Sequence, residues 1–161
     1  MSGDGAPAAP PRVRPAVAAD HAFLVEANRA LARETEGHDL EPAVVAAGVA
    51  AALADAGHGT YWIAELEGRA AGCLFVTREW SDWRDGRVWW IQSVYVVAAA
   101  RGRGVYRALH EHVRAAARER GDVVGLRLYV ERGNSRAQAT YRHLGMVDSS
   151  YVVYEEIFPR R

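Results

Sequence analysis

Val94-Tyr95-Val96-Val97-Ala98-Ala99-Ala100-Arg101-Gly102-Arg103-Gly104-Val105-Tyr106-Arg107-Ala108-Leu109 decides how the rest of the chain is read. A β-branched and aromatic strand gives way to a short Arg/Gly loop, which opens directly into a helical pattern. Gly102 and Gly104 let the backbone take conformations closed to other residues, so successive N–H groups can turn inward. The first turn of the helix adds its own unpaired N–H groups and the positive end of its dipole. Strand, loop and helix in that order make a place for a phosphate.

Three kinds of phosphate loop have to be separated. A nucleoside-triphosphatase loop needs a Lys after its last Gly, and this chain has no Lys: all 20 basic residues are Arg. A dinucleotide loop wants a third Gly where Arg107 stands and sits near the start of a βαβ unit, whereas this loop lies past the middle of the chain. The third kind fits. Arg101-Gly102-Arg103-Gly104-Val105-Tyr106 resembles the Arg/Gln-x-x-Gly-x-Gly/Ala acyl-CoA loop of the GNAT N-acetyltransferase superfamily. A second segment, from Asn134 through Ala137 and Tyr141 to Gly145-Met146, resembles that superfamily's Asn-x-x-Ala-x-x-x-Tyr-x-x-x-Gly-Phe helix. Tyr106 departs from the pattern, placing a ring where a Gly or Ala is usual.

Bulk properties agree with one soluble domain. A chain of 161 residues should bury roughly two-thirds of its unfolded surface. Hydrophobic residues make up 50% and charged residues 25%, with a formal net charge of zero, which argues against a broad basic face for nucleic acid. No apolar run reaches the roughly 18 residues of a membrane span, and no secretory leader is seen, so a cytoplasmic protein with no membrane partner is expected. Cys73, the only cysteine, falls in a strand pattern and reads as a small buried residue.

Residues 1–11, rich in Gly, Ala and Pro, read as a disordered tail, and 12–161 as a single N-acetyltransferase domain. A short edge strand at 12–16 precedes a helix capped by Asp20 and ended by Gly37, and a second helix starts at Pro42. Strands at 60–66 and 70–78 form a hairpin. The loop from Glu79 to Gly86 carries Trp80, Trp83 and three acids, and serves either to cover the sheet or to wall an acceptor pocket. The central strand 88–97 enters the phosphate loop, followed by a helix to about Arg120, whose His110 and His112 are expected at the surface. A strand at 123–131, the helix capped by Asn134 and a last strand at 147–158 complete the order. The result is an α/β domain on a mixed sheet, with strands 88–97 and 123–131 parallel in a right-handed βαβ unit.

The resemblance implies more. It implies a GNAT-like, mostly antiparallel sheet whose central parallel pair splays apart, flanked by helices. It implies acetyl-CoA as co-substrate, its pantetheine arm lying along the open strand edge like an added strand. Val94, Tyr95 or Val96 would supply a backbone oxyanion donor, and Arg101 to Tyr106 the pyrophosphate site. Asn134 would bond the CoA arm, although a helix N-cap accounts for it equally. Tyr141 would be the general acid towards the departing thiolate. The usual Glu base corresponds to Gln92, whose amide cannot take a proton, so Glu79 becomes the first substitute and Glu34 and Glu36 the next. Glu34, Trp80 and Trp83 are acceptor-site candidates, no metal is called for, and a homodimer is left open. The activity implied is transfer of acetyl to a primary amine of a small molecule, with a peptide acceptor as a further option. An idle acetyl-CoA-binding sensor or interaction domain is the alternative that Gln92 keeps in view.

Overall fold

Alternating apolar and polar positions become five strands of one sheet: β1 (Arg12–Pro15), β2 (Thr60–Leu66), β3 (Arg69–Ser81), β4 (Gly86–Val96) and β5 (Val123–Leu128). The computed structural model describes residues 9–159, and most of the expected tail at 1–11 lies outside them. The strands lie in chain order, antiparallel except for the parallel pair β4–β5. Four helices accompany them: α1 (His21–Glu36), α2 (Pro42–Ala54), α3 (Val105–Glu119) and α4 (Ser135–His143). The chain groups into two compact units, one ending at Tyr129 with the sheet and α1 to α3, the other beginning at Val130 with α4.

Element boundaries follow local chemistry. Gly37, at φ 68°, ends α1 in the left-handed region that a side chain would resist, and Pro42 occupies the first turn of α2, where no N–H is needed. Asp20 does not cap α1 with its side chain. Its carboxylate accepts from the Val17 N–H at 2.7 Å and from the Arg14 guanidinium at 2.7 and 2.8 Å, because a fork of charged donors outcompetes a helical amide.

Two apolar clusters lie on the two faces of the sheet. On one, Val105, Leu109, Val113 and Ala117 of α3 pack on Leu74, Val76, Trp89 and Ile91; on the other, Leu24 and Ala27 of α1 and Val49 of α2 pack on Tyr61, Ile63 and Cys73. Burial pushes the Cys73 thiol up to about 12, so it is inert at neutral pH. His110 is not a surface residue as expected: it stands on the packed side of α3, 1% exposed, and neither ring nitrogen has a hydrogen-bond partner among the described residues. Its neighbours in the apolar repeat, Leu109 and Val113, carry it inward.

Gln92 is the extra residue of a β-bulge, since Phe75 pairs with Ser93 and Val76 with Ile91. Before it, Trp89 and Ile91 face α3; after it, Val94 and Val96 do, while Tyr95 joins the α1/α2 cluster. The expected strand at 147–158 does not form. Residues 146–159 pair with no strand among those described, and Val147, Tyr151, Tyr154, Ile157 and Phe158 are exposed. Val152-Val153-Tyr154 breaks the two-residue alternation, and a strand exists only through a ladder partner that composition does not specify.

Candidate active site

The parallel pair ends before β4 does. Its register runs from Arg87 opposite Val123 to Ile91 opposite Leu128, whereas β4 continues to Val96 paired, among the described strands, with β3 alone. From Gln92 onward the β5-side edge of β4 is open, as expected for a splayed pair. Val97 donates to the Ala71 carbonyl at 2.9 Å, and amides alternate in direction along a strand. The amides of Tyr95 and Ser93 therefore turn towards β3, and those of Val94 and Val96 towards the open edge. Of the three expected oxyanion donors, Val94 and Val96 are the ones suitably directed.

The loop that follows is shaped by two glycines, Gly102 and Gly104, each at φ 78°, where any L side chain is strained. Among the described residues, the N–H groups of Gly102, Gly104 and Val105 donate to no acceptor, and α3 has no side-chain cap. Three unpaired donors and a helix dipole together form an anion cradle. The Arg side chains are engaged elsewhere: Arg103 with Glu67 at 2.6 Å, Arg101 with Glu34 at 2.5 Å and with the Val96 carbonyl at 3.1 Å. The Tyr106 ring is half-buried, 5.9 Å from that of His110 one turn along the helix, so it extends along α3.

On the sheet face that α1 and α2 partly cover, polar groups form a line along β4. At one end Glu34, near the C-terminus of α1, accepts from the Tyr95 hydroxyl at 3.2 Å as well as from Arg101. Burial, then the Glu34 carboxylate, hold that hydroxyl's pKa above its ordinary value. At the bulge the Gln92 amide donates to Thr77 Oγ1 at 2.7 Å. Beyond it the Trp90 indole N–H donates to Glu79 at 2.6 Å, Arg127 reaches the other Glu79 oxygen at 3.1 Å, and Trp90 stacks on Tyr129 with centroids 4.6 Å apart.

The geometry brings Glu79 and Glu34 to one face but does not bring Trp80 and Trp83 there. β3 and β4 stay paired through Ser81 opposite Gly86, leaving only residues 82–85 as the turn. That end of β4 lies six residues, roughly 20 Å, from the bulge. By alternation Trp80 also faces away from Glu79, under the Arg87 guanidinium at 5.7 Å, and Trp83 is 85% exposed. What reads as an eight-residue loop is mostly hairpin, and it carries both rings away from the splay.

The profile of the acetyltransferase (GNAT) family matches residues 24–146. The chain belongs to that family. A solved structure of a possible acetyltransferase from Clostridium difficile 630 is 36% identical, with 94% of this chain and all of that one covered and a TM-score of 0.87. Lower-identity likenesses extend the fold match: an aminoglycoside N-acetyltransferase in complex with CoA has 19% identity, 95% and 97% coverage and a TM-score of 0.73. A ribosomal-protein-alanine N-acetyltransferase from Brucella melitensis biovar Abortus 2308 has 16% identity, 92% and 99% coverage and a TM-score of 0.73. No curated protein sequence matches. As a GNAT member this protein is an N-acetyltransferase, and its mixed sheet with one parallel pair is the fold of the family.

In the second unit, Asn134 Oδ1 accepts from the Ala137 N–H at 3.0 Å, so its N-cap role is realised. Tyr141 stands in the last turns of α4, and burial raises its hydroxyl pKa, keeping it a proton donor. Among the described residues no helix is long and apolar enough to cross a membrane, and no cluster of His, Cys, Asp and Glu could hold a metal ion. Arg127, Trp90 and Tyr129 were missed from the sequence. Alternation would have placed Arg127 and Tyr129 on one face, but their meeting with Glu79 depends on a register between strands far apart in the chain.

Proposed function

We propose that this GNAT protein transfers acetyl from acetyl-CoA directly to the primary amine of a small molecule. The observation that carries the reading is the continuity of two features in one segment: the β4 edge that opens at Gln92 leads into the unpaired N–H groups of Gly102, Gly104 and Val105. The pantetheine arm runs along the open edge and the pyrophosphate rests in the cradle. The Val94 or Val96 amide faces the thioester oxygen as it gains charge, and Tyr141 protonates the leaving thiolate.

The amine must lose a proton before or during attack. Glu79 serves as the base, directly or through a water molecule, with Arg127 and the Trp90 indole orienting its two oxygens. Glu34 supplies negative charge at the other end of the line.

Acetyl-CoA binding by calorimetry, followed by a thiol-release assay across an amine panel, tests the assignment. Tyr141→Phe should lower kcat by on the order of 100-fold while leaving acetyl-CoA affinity nearly unchanged, because the hydroxyl acts mainly in the transition state. Unchanged turnover in the Phe variant would reduce Tyr141 to a packing residue. Binding of acetyl-CoA with no amine acetylated would favour the sensor reading instead.

A further inference from the structure

Arg127 is positioned through one of its five donors. Its Nη1 bonds Glu79 at 3.1 Å and its Cζ lies 5.7 Å from the Trp90 ring centroid, while its Nε and Nη2 edge meets no acceptor among the described residues. The side chain is 37% exposed, so that edge is open to a ligand. Both Glu79 oxygens are oriented, one by Arg127 and one by the Trp90 indole. The Trp90–Tyr129 stack adds a flat apolar wall at the same place. A guanidinium fixed on two sides and open along its bidentate edge matches a carboxylate, and a carboxylate beside it matches an ammonium.

We propose that the acceptor carries a carboxylate close to its amine: that it is a free amino acid or a similarly small amino-carboxylate, held by Arg127 and Glu79. The inference rests on the N-acetyltransferase reading above and narrows its substrate. The acceptor's carboxylate takes the Nε and Nη2 edge of Arg127, and its ammonium lies against Glu79. Trp90, which holds Glu79 through its indole N–H, is two positions from Gln92, about 7 Å along β4, so the Glu79–Arg127 pair lies within a small acceptor's length of the place where β4 and β5 part. Glu79 takes one ammonium proton, the freed nitrogen pair forms the C–N bond, the C–S bond breaks and the thiolate takes a proton from Tyr141, while the second nitrogen proton leaves as the amide forms and passes through water to the Tyr141 phenolate. An apolar side chain on the acceptor would lie on the Trp90–Tyr129 wall.

The test compares common amino acids with their carboxamides, measuring both kcat/KM and binding to the CoA-loaded protein by calorimetry. The acids should be preferred by about 10- to 100-fold, the worth of a charge-assisted bidentate pair. Arg127→Gln should abolish the preference with acetyl-CoA affinity unchanged, and Arg127→Lys should restore only part of it, since an ammonium lacks the fork. Carboxamides that bind and react as well as acids would overturn the inference while leaving the acetyltransferase reading intact. Equal binding of acids and carboxamides, in the absence of any turnover, would overturn it too. Failure of acetyl-CoA itself to bind would instead strike the reading beneath it.

Discussion

Gly104 offers a way to test the anion cradle by charge alone. A Cβ built there meets nothing within 4 Å, so steric clash does not confuse the result, and the φ of 78° is a conformation that Asn and Asp both tolerate better than other residues. Gly104→Asn and Gly104→Asp therefore share the same conformational cost, on the order of 1 kcal/mol, which should lower the melting temperature by roughly 2–4 °C in each. They differ by one negative charge beside a bound pyrophosphate. At about 6 Å and an effective dielectric constant of about 40 to 80, each phosphate charge contributes roughly 0.7–1.4 kcal/mol of repulsion. Two such charges predict that the Asp variant binds CoA about 10- to 100-fold more weakly than the Asn variant. Calorimetry of both variants at low and high salt measures the difference, which should shrink as salt rises. Equal dissociation constants for the two variants at low salt would show that the pyrophosphate is not at this loop.

His110 predicts a pH dependence of stability. Burial, reinforced by Arg114 and opposed by Glu111, lowers its pKa below the ordinary 6.5, so the unfolded chain takes up a proton before the folded one does. Stability should be complete above about pH 6.5 and fall as the pH drops from there towards the folded-state value, and His110→Leu should flatten that part of a chemical-denaturation profile. An equally steep profile in the Leu variant would assign the acid sensitivity to other groups. Gly72 predicts a packing defect. An added methyl would lie 2.8 Å from Val105 Cγ1 and 2.9 Å from the Tyr95 carbonyl oxygen, so Gly72→Ala should cost about 1–3 kcal/mol in urea unfolding. A neutral result would mean that α3 can move away from β3 at little cost.

How far the sequence could be read depended on whether the deciding contacts were local. The strand, the Gly102 and Gly104 turn and the start of α3 are contiguous, and their backbone geometry is written in residues whose own preferences demand it. The parallel pairing of β4 with β5 was also legible, because a strand-helix-strand crossover admits one hand. The end of that pairing at Ile91 and Leu128 was not, nor was the bulge at Gln92, since both arise from register between strands. The same holds for Trp80 and Trp83, which look like loop residues until the length of the hairpin is known. His110 was misjudged because one polar residue in an apolar repeat is read by its type, while its burial is set by its position on α3.

The bulge at Gln92 also divides β4 into two halves that variation can treat separately. Because the facing of side chains changes phase there, residues 86–91 determine what lies against Glu79 and Arg127, and residues 93–96 determine what lines the edge beside the cradle. A graft from a relative that replaces only 86–91 would exchange one recognition surface and leave the other in register. A graft that removed Gln92 would close the bulge into a regular ladder, with Ser93 still opposite Phe75, Val94 and Val96 still facing α3 and Tyr95 still facing α1 and α2. The strand thus behaves as an adaptor with a removable joint: its two halves can be recombined with or without the bulge residue, provided each keeps its pairing with β3.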